Sequence, residues 1–161
     1  MNNIEIRTIE PQDDFAIANV IRTTLVEFNA NHPGTVYYDR STDQLSELFR
    51  KEGSIYYVAL LDGEVMGGVG IFPTDGLPAG TCELVKMYLL AKVRGKGLGR
   101  MLIEKALDFA RTNRYKQVYI ETMPELAKAM SVYEKFGFEY LDRSLGNTGH
   151  FGCEIWMLKQ L

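Results

Sequence analysis

Between residues 92 and 100 the chain reads KVRGKGLGR, with glycines at alternate positions among Lys92, Arg94, Lys96 and Arg100. The stretch directly follows an apolar run, residues 84–91, and directly precedes residues 101–110, whose apolar side chains recur with a helical period. Glycine in a helix opening is unfavourable by roughly 1 kcal/mol relative to alanine, so this cluster calls for a reason beyond folding. Phosphate binding supplies one. A helix start presents N–H groups without intrahelical acceptors at the positive end of its dipole. Glycine lets that backbone curl around a diphosphate, and nearby cations add charge-assisted hydrogen bonds.

Two common phosphate loops do not match these letters. A Walker loop needs GxxxxGK followed by Ser or Thr, whereas Lys96 is followed by Gly97 and Leu90 stands where the first glycine belongs. A dinucleotide fingerprint, GxGxxG, is met by Gly95 and Gly97, but its third place holds Arg100. Glu121 mimics the ribose-binding acid of that fingerprint, yet too little chain follows for the remaining βαβ units.

The elements that must position this loop are marked by period and punctuation. Residues 4–8 alternate like a short strand, and Pro11 to Asp14 open a helix through Phe15, Ile17, Ala18, Ile21 and Leu25. Ser41-Thr42-Asp43 opens a second helix through Leu45, Leu48 and Phe49, and NANHPGTVYYD between the two reads as a loop. Residues 55–61 and 64–72 are β-rich runs joined by Asp62-Gly63, a two-residue hairpin signal. Residues 81–90 form the next strand, 97–113 a helix, 118–122 a strand and 126–136 a helix. Residues 138–143 and 154–158 are strand candidates around a glycine-rich loop. Strands and helices interleave throughout, which predicts one α/β domain over residues 1–161, and Trp156 is expected in its core.

The 161 residues, 46% of them hydrophobic and 24% charged, suit an ordinary globular chain with a real core. A net charge of -3 argues against general nucleic-acid affinity. No basic leader precedes an apolar stretch and no apolar run approaches membrane-spanning length, so a cytoplasmic protein is expected. Cys82 and Cys153 form no CxxC pair, and His32 and His150 have no partner at ligand spacing, so no metal is expected; both histidines read as exposed loop residues.

Arg94-Gly95-Lys96-Gly97-Leu98-Gly99 resembles the Q/R-x-x-G-x-G/A pyrophosphate loop of the GNAT superfamily of acyl-CoA N-acyltransferases. The run Glu83 to Leu89 before it is similar to that family's fourth strand, and residues 129–138 after it, AMSVYEKFGF, resemble its AxxxYxKxGF block. Leu126 departs from the family, which often carries asparagine there to stabilise the start of the following helix. The resemblance implies a central, largely antiparallel sheet of six to seven strands with a splayed fourth and fifth pair, flanked by about four helices.

It further implies acetyl-CoA as cosubstrate. The pantetheine arm is expected along the backbone at Met87 and Leu89. The pyrophosphate is expected on the loop of Arg94, Gly95, Lys96, Gly97, Leu98, Gly99 and Arg100. Glu83 sits where related enzymes carry a catalytic glutamate, and period two puts Glu83, Val85 and Met87 on one face, with Lys86 on the other and solvated. Tyr133 occupies the position of the hydroxyl that meets the cofactor's sulfur and protonates the leaving thiolate, and the basic limb of the pH profile is expected to report it. Glu121 and Thr122 end the next strand beside the expected gap. Tyr37, Tyr38 and His150 are further candidates for the acceptor site.

The implied reaction is acetyl transfer from acetyl-CoA to a primary amine of a small molecule or peptide by direct attack in a ternary complex. A protein lysine or N-terminal acetyltransferase and a non-catalytic acyl-CoA sensor are the alternatives, and a homodimer is left open. No nucleic-acid or membrane partner is expected.

Overall fold

The computed structural model describes residues 3–148 and 151–161. Its strands are β1 (Ile4–Thr8), β2 (Ile55–Leu61), β3 (Glu64–Phe72), β4 (Thr81–Leu89), β5 (Gln117–Thr122), β6 (Glu139–Leu141) and β7 (Ile155–Gln160). The helices are α1 (Asp14–Glu27), α2 (Leu45–Leu48), α3 (Leu98–Thr112) and α4 (Ala127–Lys135). The strands form one sheet in the order β1-β2-β3-β4-β5-β7-β6. Only the β4/β5 neighbours are parallel, joined by the right length of chain for a crossover through α3.

The β2–β3 hairpin turns at Asp62 and Gly63, both with positive φ (51° and 84°), as a tight two-residue turn requires. β2 is buried on both faces, which explains its unbroken apolar run. Tyr56, Val58 and Leu60 pack with Ile17, Val20, Ile21 and Leu25 of α1. Tyr57 and Ala59 face the other layer, where α3 brings Leu102, Ile103, Ala106 and Leu107. The second helix is shorter than its pattern predicts: Arg40–Asp43 is a 3-10 turn, and α2 holds one turn only. The loop before it contains another 3-10 turn, Val36–Tyr38. Trp156 is half-buried; Met157, of opposite parity on β7, enters the core instead.

One irregularity shapes β4. Gly68 pairs with Tyr88 and Gly70 with Val85, so a single β3 residue, Val69, faces both Lys86 and Met87. This is a β-bulge, and Lys86 takes φ 51° within it. The ring of Tyr56 crosses Gly68 so closely that a Cβ there would stand 2.5 Å from it. The Tyr56 hydroxyl then donates to the Lys86 carbonyl at 2.8 Å, anchoring the distorted peptide. A left-handed lysine is held here by its surroundings rather than by its own preference.

Candidate active site

Parallel pairing of β4 and β5 runs only from Thr81 with Gln117 to Glu83 with Tyr119. Beyond that the strands part, and a cavity of about 490 Å³ opens between them. Glu83 to Leu89 line one wall, Ile120 to Met123 another, and Tyr133 of α4 reaches in from a third. Among the described residues the edge of β4 facing the gap has no strand partner past Glu83, so its backbone can accept an extended ligand in the manner of an added strand.

The glycine loop closes one end of this gap. Gly95 and Gly97 adopt φ 75° and 81°, and Gly97 is the cap residue of α3, so both glycines are required by conformation. A Cβ at either would meet nothing within 4 Å, which leaves the space over the helix N-terminus open. Gly99 lies against the Leu89 and Met87 side chains instead. Arg94 is committed elsewhere: its Nε donates to the Leu89 carbonyl at 2.9 Å, and its two terminal nitrogens grip Glu27 of α1 at 2.7 and 2.9 Å. Arg100 pairs with Glu104, and Lys96 is exposed.

Glu83 is buried on β4 and accepts a 2.6 Å hydrogen bond from the Thr74 hydroxyl. Tyr133 is buried with its ring edge-on to Phe138, and its hydroxyl has no hydrogen-bond partner among the described residues. Burial pushes its pKa well above the ordinary tyrosine value. Tyr88, also on the cavity wall, likewise has no hydroxyl partner among the described residues and is pushed up by burial. Cys153 lines the same cavity, and desolvation raises its thiol to about 12, which keeps it protonated and unreactive.

The bulge corrects the expected alternation. Val85 packs on the α1 side of the sheet but Met87 on the α3 side, so Met87 no longer shares a face with Glu83 and Val85. Lys86 is correspondingly not solvated. Its side chain is 4% exposed, and its Nζ lies 3.9 Å from Asp39, which sits between α1 and α2. Nothing in the letters signals this, because the inserted residue is opposed only by partners distant in the chain.

Glu121 lines the cavity with both oxygens already engaged. The Tyr119 hydroxyl donates to one at 2.7 Å and Thr148 to the other, while the Leu145 N–H donates to Tyr119 at 3.0 Å. The arrangement ties the segment after β6 to β5. Thr122 is buried on the wall. His32 is not a lone loop histidine, since its Nε2 lies 2.7 Å from Glu125 and bridges the α1–α2 connection to the start of α4. Tyr37 and Tyr38 stack edge-on to one another outside the cavity, where Val36 of the same turn takes the lining position. His150 lies outside the described residues. Leu126 provides no side-chain cap for α4 and packs against the α1-side core. Among the described residues no group of three His, Cys, Asp or Glu side chains could hold a metal ion, and no helix is long and apolar enough to cross a membrane.

The family model described as the acetyltransferase (GNAT) family matches residues 19–138. The uncharacterized N-acetyltransferase YjgM of Escherichia coli (strain K12) is 41% identical over 167 aligned positions, which cover 100% of both chains. A GNAT-family acetyltransferase from Staphylococcus aureus Mu50 superposes with a TM-score of 0.85 at 16% identity, over 98% of this chain and 99% of that one. The PaiA N-acetyltransferase of Thermoplasma acidophilum, solved in complex with coenzyme A, superposes with a TM-score of 0.77 at 19% identity, over 99% of each chain.

Proposed function

The chain belongs to the GNAT acetyltransferase family, and from that premise we propose that it transfers the acetyl group of acetyl-CoA to a primary amine of a small molecule or peptide, by direct attack of the amine in a ternary complex. The observation that carries the reading is the convergence of Glu83 and Tyr133, both buried residues, on one cavity that opens along the edge of β4 past its last pair with β5. The residues present fit acetyl-CoA. Open space over the left-handed Gly95 and Gly97 suits a pyrophosphate, and the β4 edge suits a pantetheine arm. Coenzyme A in the PaiA relative supports the same donor. A volume of about 490 Å³ supports a small acceptor.

The thioester supplies an activated acetyl group, and this chain's residues manage the protons. An alkylamine arrives protonated at neutral pH and attacks only when neutral. Glu83, which lines the cavity and accepts from the Thr74 hydroxyl, takes that proton directly or through a water. Tyr133 delivers a proton to the departing sulfur. Arg94, gripping Glu27, holds the glycine loop at a fixed distance from α1 instead of binding the phosphates itself.

Burial favours the neutral phenol of Tyr133, which is its protonated form at neutral pH. Its ionisation therefore does not shape the basic limb of the pH profile, contrary to what the motif alone suggests. Tyr133→Phe should lower kcat by about 10²-fold at every pH from 6 to 9, with no displacement of the limb. A variant whose rate matches the parent at low pH and diverges only at high pH contradicts this assignment.

The activity itself is tested by incubating the protein with acetyl-CoA and a panel of amines, amino acids and peptides while following free thiol. Amine-dependent thiol release with formation of the acetamide is the expected result. Tight binding of acetyl-CoA with no transfer to any amine overturns the proposal in favour of a sensor.

A further inference from the structure

Lys86 has no part in the proton transfers just described, yet it stands in the wall of the same cavity. A lysine side chain 4% exposed is a rarity that normally requires close pairing. Among the described residues its one ion pair is the 3.9 Å approach to Asp39, beyond hydrogen-bond reach, and its Nζ donates no hydrogen bond. Asp39 meanwhile accepts from both the backbone N–H and the hydroxyl of Ser41, at 2.9 and 2.7 Å. Among the described residues no acceptor stands within hydrogen-bond reach of the three ammonium protons, and the residue lines the cavity. Burial depresses the pKa of Lys86, while Asp39 and Glu83 oppose that depression, so the amine feels both carboxylates.

The backbone has been bent to achieve this. The bulge that gives Lys86 a left-handed φ also removes it from the strand's alternation and turns it into the protein, where Tyr56 locks its carbonyl. We propose that Lys86 binds an anionic group of the acceptor, and that the acceptor is therefore a zwitterion of the amino-acid type, its amine toward Glu83 and its carboxylate on Lys86. The inference rests on the acetyl-transfer reading and narrows its acceptor. Glu83 and Lys86 stand three positions apart on one strand and present opposite charges to one cavity, which is the charge pattern of a small amino carboxylate. An incoming carboxylate also supplies acceptors at hydrogen-bond distance, closer than Asp39 at 3.9 Å.

The test uses amino acids, α and ω, each paired with its own carboxamide, as acceptors in the thiol-release assay. The carboxamide keeps the shape and removes the charge. Its amine is the less basic of the two, so amine basicity by itself favours the amide, and a preference for the acid must come from recognition of the carboxylate. The parent should prefer the acid, and Lys86→Met should shrink the acid-to-amide ratio of kcat/KM by about 10–100-fold, chiefly through the acceptor's KM. Lys86→Arg should restore part of the preference. The Tm of Lys86→Met should not fall, because the change removes a charge that burial destabilises and whose nearest described carboxylate is 3.9 Å away. A parent that acetylates carboxamides as well as or better than the acids overturns this inference and leaves acetyl transfer standing, a comparison that needs no variant. Equal slowing of acid and amide by Lys86→Met overturns it as well. No transfer to any amine, with acetyl-CoA still bound, overturns the acetyl-transfer reading and this inference together.

Discussion

Glu83→Gln should lower turnover on a true acceptor by roughly 10²–10⁴-fold while acetyl-CoA binds nearly as it does to the parent. Glutamine keeps the shape of the side chain and an oxygen for the Thr74 hydroxyl, so the buried position on β4 stays filled and bonded. It cannot take a proton from the amine. The loss should fall on kcat, because the group acts as the amine is deprotonated and not in holding the cosubstrate. Raising the pH increases the neutral fraction of the amine, and the deficit should therefore narrow toward alkaline pH. The measurement must follow the acetylated acceptor, since slow hydrolysis of the thioester releases thiol without needing the base. Parental rates in Glu83→Gln across the pH range would move the proton to a water held by Glu121, whose oxygens already face Tyr119 and Thr148.

The second large effect belongs to the glycine loop. Gly97 caps α3 at φ 81°, a conformation that a β-branched residue adopts only under strain, and Gly97→Val should abolish coenzyme A binding in calorimetry. Since a Cβ at Gly97 meets nothing within 4 Å, the first side-chain carbon has room, and the fold should survive with the backbone strain falling on the N–H groups that the loop presents. Gly99→Glu should act by charge, bringing a carboxylate to the first turn of α3 where the phosphates are to lie. Ligand linkage gives an independent reading. Acetyl-CoA at a hundred times its Kd stabilises the parent by about 2.7 kcal/mol and should stabilise neither variant. Binding of coenzyme A by Gly97→Val as tightly as by the parent would place the pyrophosphate elsewhere.

What could be read from the letters was what neighbours in the chain decide. Asp62-Gly63 makes its turn from its own two conformations, and Gly95 and Gly97 are glycines because of theirs. Leu98, Leu102, Ala106, Leu107 and Ala110 of α3 all meet one layer, so their period is legible, whereas Met101 of the same apolar pattern lies exposed. Lys86 shows the opposite case. Alternation along β4 predicts its direction correctly only if every residue of β4 has one partner on β3, and the extra residue opposite Val69 is invisible without the partner strand. The short second helix failed for a related reason, since Arg40–Asp43 is held as a 3-10 turn in part by Asp39 accepting from Ser41, a capping bond that competes with regular helix. Arg94 was placed in its loop by the motif, but its commitment to Glu27 depends on α1, sixty-seven positions earlier in the chain.

The three pairs that join β4 to β5, from Thr81 with Gln117 to Glu83 with Tyr119, are all that rivets β1–β4 to the β5-β7-β6 half of the sheet by strand pairing. The seam is open over the rest of β4, where the ladder would otherwise continue. Past that short weld the two halves of the sheet are joined through the shared core and not by strand pairing, and a donor that hydrogen-bonds along the edge of β4 adds rungs to the ladder. Amides around the seam should exchange with solvent through local opening when the gap is empty and only through global unfolding when it is filled, so that the substrate acts as a structural strand for as long as it stays bound.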